Sequence, residues 1–170
     1  MKRSNTLVVL VLAILAAAPA LAGAAAPSSF AGVWVLDKGK SQLAGPMAQV
    51  DSMTWTITQD EKNLSIDSAS SVQGQDRPAQ KSSYNLDGSP TTADIGGRMP
   101  GKATMSAKWL DAGKTLELKA VRNFEVQGNQ ITATTTDHLE IADGGKTLKV
   151  HRVTESPRGS QEATMVFNKK

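Results

Sequence analysis

Apolar residues recur at every second position along most of this chain. The pattern is clearest between Thr115 and Thr154. Leu116, Leu118, Ala120, Arg122, Phe124 and Val126 lead to a Gly128-Asn129 turn. Ile131, Ala133, Thr135, Asp137, Leu139 and Ile141 follow it, and an Asp143-Gly144-Gly145 turn then opens onto Leu148, Val150, Arg152 and Thr154. A period of two belongs to a strand with one buried face. The stretch therefore predicts a three-strand antiparallel meander with three charged residues on its apolar side.

The same alternation predicts six further strands. They centre on Phe30-Gly32-Trp34-Leu36, Met53-Trp55-Ile57, Leu64-Ile66-Ser68, Ser82-Tyr84-Leu86, Met105-Ala107-Trp109 and Gln161-Ala163-Met165-Phe167. The third of these fades through a polar, Ser-rich stretch towards Pro78. Gly39, Gly45 and Pro46 break residues 38–50 into a loop. Ser89 to Lys102, with Pro90, Gly96, Gly97, Pro100 and Gly101, is the longest stretch without a strand pattern. It reads as a mobile connection, with a functional lid as the alternative. The fold expected is all-β, an up-and-down antiparallel meander closing into a barrel of about 8–9 strands. An open curved sheet or a β-sandwich is the alternative.

An internal echo supports repeated hairpins. Trp109 to Leu118 (WLDAGKTLEL) resembles Ile141 to Val150 (IADGGKTLKV). Each has an apolar strand end, a short Asp/Gly turn and a new strand.

Residues 1–26 have the three parts of a secretory signal peptide: basic Lys2 and Arg3, an apolar run from Leu7 to Leu15, and Ala20-Leu21-Ala22 as a small-x-small cleavage pattern. The strongly apolar run is shorter than the ~20 residues a bilayer span needs. Ala24 stands where a bacterial lipoprotein box requires the lipidated Cys. The expectation is a soluble periplasmic or secreted domain over residues 27–170, with no stable membrane anchor.

This leader changes the meaning of the charge. Two of the 19 Lys and Arg residues lie in it, so the remaining basic residues nearly balance the 16 Asp and Glu, and the formal net charge of +3 is not a nucleic-acid signal. Aromatics at 4% leave little for a base-stacking platform. The chain has no Cys, which excludes disulfides, thiolate metal sites and cysteine nucleophiles.

Turn geometry fixes strand register. At the Asp143 turn, Ala142 opposite Thr147 aligns Leu139 with Val150 and Glu140 with Lys149. At the Asp111 turn, Leu110 opposite Thr115 aligns Trp109 with Leu116 and Lys108 with Glu117. A Gly128-Asn129 turn would match Val126 with Ile131, Phe124 with Ala133 and Leu118 with Leu139. On these registers Asp137 faces Arg152 and Ala120, while Arg122 faces Thr135 and lies diagonal to Asp137. Arg122, Asp137 and Arg152 then form an inward cluster beside Thr135, Thr154 and Met105. Three readings stand: charges in water at an open rim, an internal anion site built on the guanidinium forks, or a closed structural ion pair.

Gly32-Val33-Trp34 on the first strand, directly after a signal peptide, resembles the Gly-x-Trp signature of lipocalins and lipocalin-like calycin barrels. Phe30, Leu36-Asp37 and Lys40-Ser41 resemble the start of small secreted bacterial proteins of this kind. The resemblance implies an up-and-down barrel whose first-strand Trp packs at the closed end, often over a cavity for a small hydrophobic molecule. It also implies a late-strand Arg across that Trp, for which Arg152 is the candidate. The family's disulfide and C-terminal helix are absent from the pattern.

Signals for other chemistry are thin. His138 and His151 become neighbours on the outer face, short of the three protein ligands usual in catalytic zinc sites. Asp137 points away from His138, and no nucleophile elbow is present. Gly39-Lys40-Ser41 lacks the Gly that a phosphate loop needs five residues before its last Gly, where Trp34 stands. Asn63-Leu64-Ser65 fits a glycosylation sequon but sits at a hairpin turn. No catalytic residue, metal or cofactor is assigned. The expected role is an exported binding protein for a small hydrophobic or amphiphilic, anionic molecule. Arg122, Asp137, Arg152, Thr135, Thr154, Met105, Trp34 and Trp109 are the candidate ligand contacts. The alternatives are a non-catalytic envelope interaction module with a filled core, and a small barrel enzyme using Asp137 as acid or base.

Overall fold

The computed structural model describes residues 26–95, 100–126 and 128–170. All but the last position of the expected signal peptide lies outside the described residues. Ten strands follow in order: β1 Gly32–Leu36, β2 Val50–Gln59, β3 Asn63–Val72, β4 Gln75–Asn85, β5 Thr91–Ile95, β6 Gly101–Leu110, β7 Thr115–Val126, β8 Asn129–Ala142, β9 Thr147–Ser156 and β10 Gly159–Lys169. They form one antiparallel sheet in the order β4-β3-β2-β1-β10-β9-β8-β7-β6-β5. The sheet curls into a nearly closed barrel. Its two edges, β4 and β5, meet at a seam without a backbone ladder, where the Thr91 hydroxyl donates to the Ser83 carbonyl at 2.7 Å.

Ten strands exceed the eight or nine expected because β5 lies inside the stretch read as a mobile connection. Thr91, Ala93 and Ile95 share its inner face, too little apolar character to show a period. Its partner β6 makes it a strand, through five consecutive pairs from Thr91–Met105 to Ile95–Gly101. β4 also starts earlier than its pattern. Gln75 to Lys81 are all exposed, so burial imposes no alternation there. Pro78 sits where the β3–β4 register shifts, between the pairs Ser68–Gln80 and Ser70–Arg77. That is a bulge in an edge strand, the place a sheet tolerates a residue with no N–H.

The inner face is apolar at one end of the barrel. Trp34, Phe30, Phe167, Leu64, Leu116, Leu139, Leu148 and Met165 have no accessible surface. Each buried side chain of this size stabilises the fold by roughly 1.5–3 kcal/mol over exposure. The segment before β1 seals this end. Ser28 N–H donates to the Gly113 carbonyl at 2.9 Å, and Phe30 N–H donates to Gln59 Oε1 at 2.8 Å. The Phe30 ring lies 6.0 Å from that of Trp109.

At the other end, β1 is short and pairs with β10 over only Trp34–Lys169, Val35–Asn168 and Leu36–Phe167. Residues 37–49 cover the space this leaves. Gln42 forms an isolated bridge with Thr164, Ser41 Oγ accepts from Val166 N–H at 2.9 Å, and Leu43 and Met47 pack on the core.

Both registers derived from the echoed hairpins are observed. Leu110 pairs with Thr115 and Ala142 with Thr147, and every pair drawn from them follows. The β7–β8 register differs by two residues. Val126 pairs with Asn129, Phe124 with Ile131, Leu118 with Asp137 and Arg122 with Ala133. The hairpin closes one residue earlier than the Gly128-Asn129 reading, with Gly128 at φ 81°. A shift of two keeps every side chain on its own face but slides it one row along the barrel.

Candidate functional site

The inner face changes character one row above the apolar end. Met165, Val150, Leu139, Leu116 and Trp109 lie in one pairing row, and Ala163, Arg152, Asp137, Leu118 and Ala107 in the next. Asp137 and Arg152 therefore stand directly opposite each other on β8 and β9. Arg152 Nε donates to Asp137 Oδ1 and Nη2 to Oδ2, both at 2.7 Å. This is a side-on, two-bond pair of the strongest geometry available to the two groups. Asp137 is 6% exposed, and the Arg152 side chain 22%.

Three further side chains define the surroundings. The Arg152 guanidinium lies 5.9 Å from the Trp55 ring centroid, within cation–π range, and Phe167 stacks on Trp55 at 4.8 Å. Met47, from the 37–49 segment, brings its sulfur 3.9 Å from Arg152 Nη1. Tyr84 is buried on β4 and senses the charges of Asp137, Arg152 and Arg122. Burial pushes the Tyr84 phenol above its usual range, and the Asp137 carboxylate adds to this. Arg152, a hydrogen bond with Ser82 and Arg122 offset part of the rise. Burial opposes the charge on Arg152, but the facing Asp137 outweighs it and holds the guanidinium above its ordinary value.

The row above contains Thr154, Thr135, Ala120 and Met105, so the structure brings Thr135, Thr154 and Met105 next to the ion pair. Arg122 lies higher. It faces Ala133, four residues along β8 from Asp137, or roughly 13 Å at the rise of a strand. The expected three-charge cluster is thus an ion pair with a separate, exposed cation nearer the mouth. Among the described residues no carboxylate pairs with Arg122.

Trp34 and Trp109 belong to the sealed end. Trp34 Nε1 donates to the Phe30 carbonyl at 2.8 Å. The cation over the Trp34 ring is Lys169, with Nζ 5.1 Å from the centroid. Arg152, the candidate for that position, sits over Trp55 instead. Trp109 stacks on Phe30 and lines an open groove of about 340 Å³ with Pro27, Gln59 and Leu86, on the outside of the sealed end.

Sequence reasoning missed Trp55, Tyr84, Met47 and Arg77. Alternation placed Trp55 and Tyr84 on the inner face, but only the closed barrel brings them to Arg152. Arg77 pairs with Ser70, which pairs with buried Met53, so Arg77 is on the inner face at the open end. The β4 bulge put it there, and no local pattern signals the bulge. Towards that end the inner positions are half-buried or exposed: Ser68, Ser70 and Gln80 on one side, Phe124, Ile131 and Ala133 on the other. The barrel is packed at one end and open to water at the other, with the ion pair at the boundary.

No family model matches the chain, and no curated protein matches it by sequence. Solved structures do match. One is a crystal structure of zebrafish ileal bile acid-binding protein complexed with cholic acid, at 13% sequence identity and a TM-score of 0.52, covering 84% of this chain and all of that one. At this identity the likeness is one of fold. The described residues form a nearly closed β-barrel of ten antiparallel strands, the same fold as that protein.

Proposed function

We propose that this protein is an exported bacterial carrier, periplasmic or secreted, that holds a small amphiphilic anion in the open half of its barrel. The observation that carries the reading is an excess of positive charge above an apolar floor. Asp137 and Arg152 neutralise each other through two 2.7 Å bonds. Arg122 and Arg77 remain on the inner face towards the mouth, and among the described residues neither forms a salt bridge. An amphiphile would set its apolar body against Trp55, Tyr84, Met105 and Leu118, with its anionic group towards the arginines. Thr135 and Thr154 supply hydroxyls between the two zones. The shared barrel fold supports the reading, since the solved neighbour is a bile acid-binding protein complexed with cholic acid, an amphiphilic carboxylic acid. The leader pattern at residues 1–26 supports export.

The test is native mass spectrometry of the protein purified without denaturation, followed by titration with a fluorescent fatty-acid probe. The expected result is a co-purifying acidic amphiphile, or saturable probe uptake at one equivalent with micromolar affinity. Neither a bound molecule nor probe uptake at 100 μM would overturn the proposal. The packed half of the barrel would then favour the second reading, a non-catalytic interaction module.

A further inference from the structure

On the outer wall, away from the barrel mouth, two histidines face each other across adjacent strands. His138 on β8 pairs directly with His151 on β9. Their rings are 14° from parallel, with centroids 6.4 Å apart. A carboxylate flanks each ring from outside the pair. Glu117 Oε2, on β7, lies 3.1 Å from His138 Nε2, and Glu162 Oε2, on β10, lies 3.6 Å from His151 Nε2. Glu117, His138 and His151 share one pairing row on three consecutive strands, and Glu162 reaches His151 diagonally from β10, where Thr164 is the direct partner. The group plays no part in the barrel interior.

We infer that His138 and His151 form a surface chelate for a divalent transition-metal ion. The spacing carries the inference. A metal–imidazole bond of about 2.0–2.1 Å places an ion roughly 3.2 Å from the ring centre. Two imidazoles sharing one ion therefore have centroids up to about 6.4 Å apart, and less when the bonds bend. The observed separation equals the linear limit, and a tetrahedral angle at the ion places the centroids about 5.2 Å apart, so side-chain rotation must close the rings by roughly 1.2 Å. Glu117 supplies His138 with what metal-bound histidines commonly have, a carboxylate on the other ring nitrogen that fixes the tautomer. Glu162 adds a nearby negative charge at His151. With Nε2–H of His138 turned to Glu117, its Nδ1 is left as the metal donor, while His151 keeps both ring nitrogens available. The side chains are 32% and 47% exposed, so an ion and its waters can reach them.

Among the described residues no three His, Cys, Asp or Glu groups converge on one point. The site is therefore two-coordinate from the protein, with waters completing the shell. That predicts micromolar affinity and an order set by imidazole preference, Cu²⁺ ahead of Ni²⁺ and Zn²⁺, with Mg²⁺ and Ca²⁺ excluded as oxygen-seeking ions.

Isothermal titration of the purified protein with Cu²⁺ and with Zn²⁺ tests this, with Cu²⁺ binding also read by electron paramagnetic resonance. One equivalent of Cu²⁺ should bind with two imidazole nitrogens in the spectrum. His138→Ala and His151→Ala should each weaken binding at least tenfold, and Glu117→Gln by a smaller factor. All three positions are on the surface, and circular dichroism checks that each variant is folded. Equal Cu²⁺ affinity in the wild type and both histidine variants would overturn the inference, as would a spectrum showing a single imidazole.

Discussion

Asp137 and Arg152 meet as direct cross-strand partners, and their two 2.7 Å bonds lie inside the barrel rather than on its surface. The pair sits where the packed half of the interior gives way to the open half. Its geometry leaves both Asp137 oxygens occupied, so the carboxylate is a structural acceptor here. Removing one partner strands the other charge, which costs more than removing both. Arg152→Met should destabilise the protein by about 3 kcal/mol, because Asp137 is almost completely buried. The double variant Asp137→Leu with Arg152→Met should recover most of that loss. Urea denaturation of the single and double variants measures the difference. A double variant no more stable than Arg152→Met alone would contradict this account of the pair.

Arg122 should behave in the opposite way. It is exposed and lacks a paired carboxylate among the described residues, so Arg122→Ala should change stability by no more than about 0.5 kcal/mol. If an anionic group binds at the mouth, the same variant should weaken uptake of a carboxylate probe about tenfold, the scale of one charge-assisted contact. Uptake of the uncharged methyl ester should be unchanged. Parallel titrations with the acid and the ester separate the two effects.

The difference between these two arginines was only partly legible in the sequence. Alternation assigned the faces of β1, β2, β6, β7, β8, β9 and β10 because half of each wall is buried and the period of two is strict. The Asp111 and Asp143 hairpins also gave correct registers, since each turn is compact and distinctive. The β7–β8 hairpin did not. Neighbouring turn residues there permit registers two apart, and both keep Leu118 and Leu139 inside. Arg122 consequently moved up one row from its expected place, out of reach of Asp137. β5 and the first half of β4 were illegible for another reason. They line the seam and the wet mouth, where burial does not select for alternation. Met47 reaches Arg152 from a loop, a contact across 105 positions that no local pattern encodes.

Tyr84 provides a direct probe of the boundary region, because it is the protein's single tyrosine. Burial raises its pKa above the usual 10, with Asp137 adding to the effect. A phenol whose pKa is higher in the folded state contributes stability that is present below pH 10. That contribution is lost as pH rises through the folded value. Tyrosinate absorbance should therefore appear above pH 10 in the native protein and near pH 10 in urea. Stability should fall over the interval between the two midpoints. Tyr84→Phe should reduce that alkaline loss, and a native midpoint at or below 10 would contradict it.

The last prediction comes from the echoed hairpins. Both turns run through three residues of positive φ: Asp111, Ala112 and Gly113 in one, Asp143, Gly144 and Gly145 in the other. The middle position is Gly144 at φ 65° and ψ 33° in the second turn, but Ala112 at φ 53° and ψ 38° in the first. The left-handed region costs a residue with a Cβ roughly 1–2 kcal/mol, whereas glycine enters it freely. Glycine also gives the unfolded chain more freedom, which takes back about 0.4–1 kcal/mol. Ala112→Gly should therefore stabilise the protein by about 0.5–1 kcal/mol, a rise in melting temperature of a few degrees for a domain of this size. The reverse change at the matching site, Gly144→Ala, should destabilise by a similar amount. Calorimetry on the two variants checks both signs together. Opposite shifts support a shared turn geometry, and shifts of the same sign would show that the two hairpins are not equivalent.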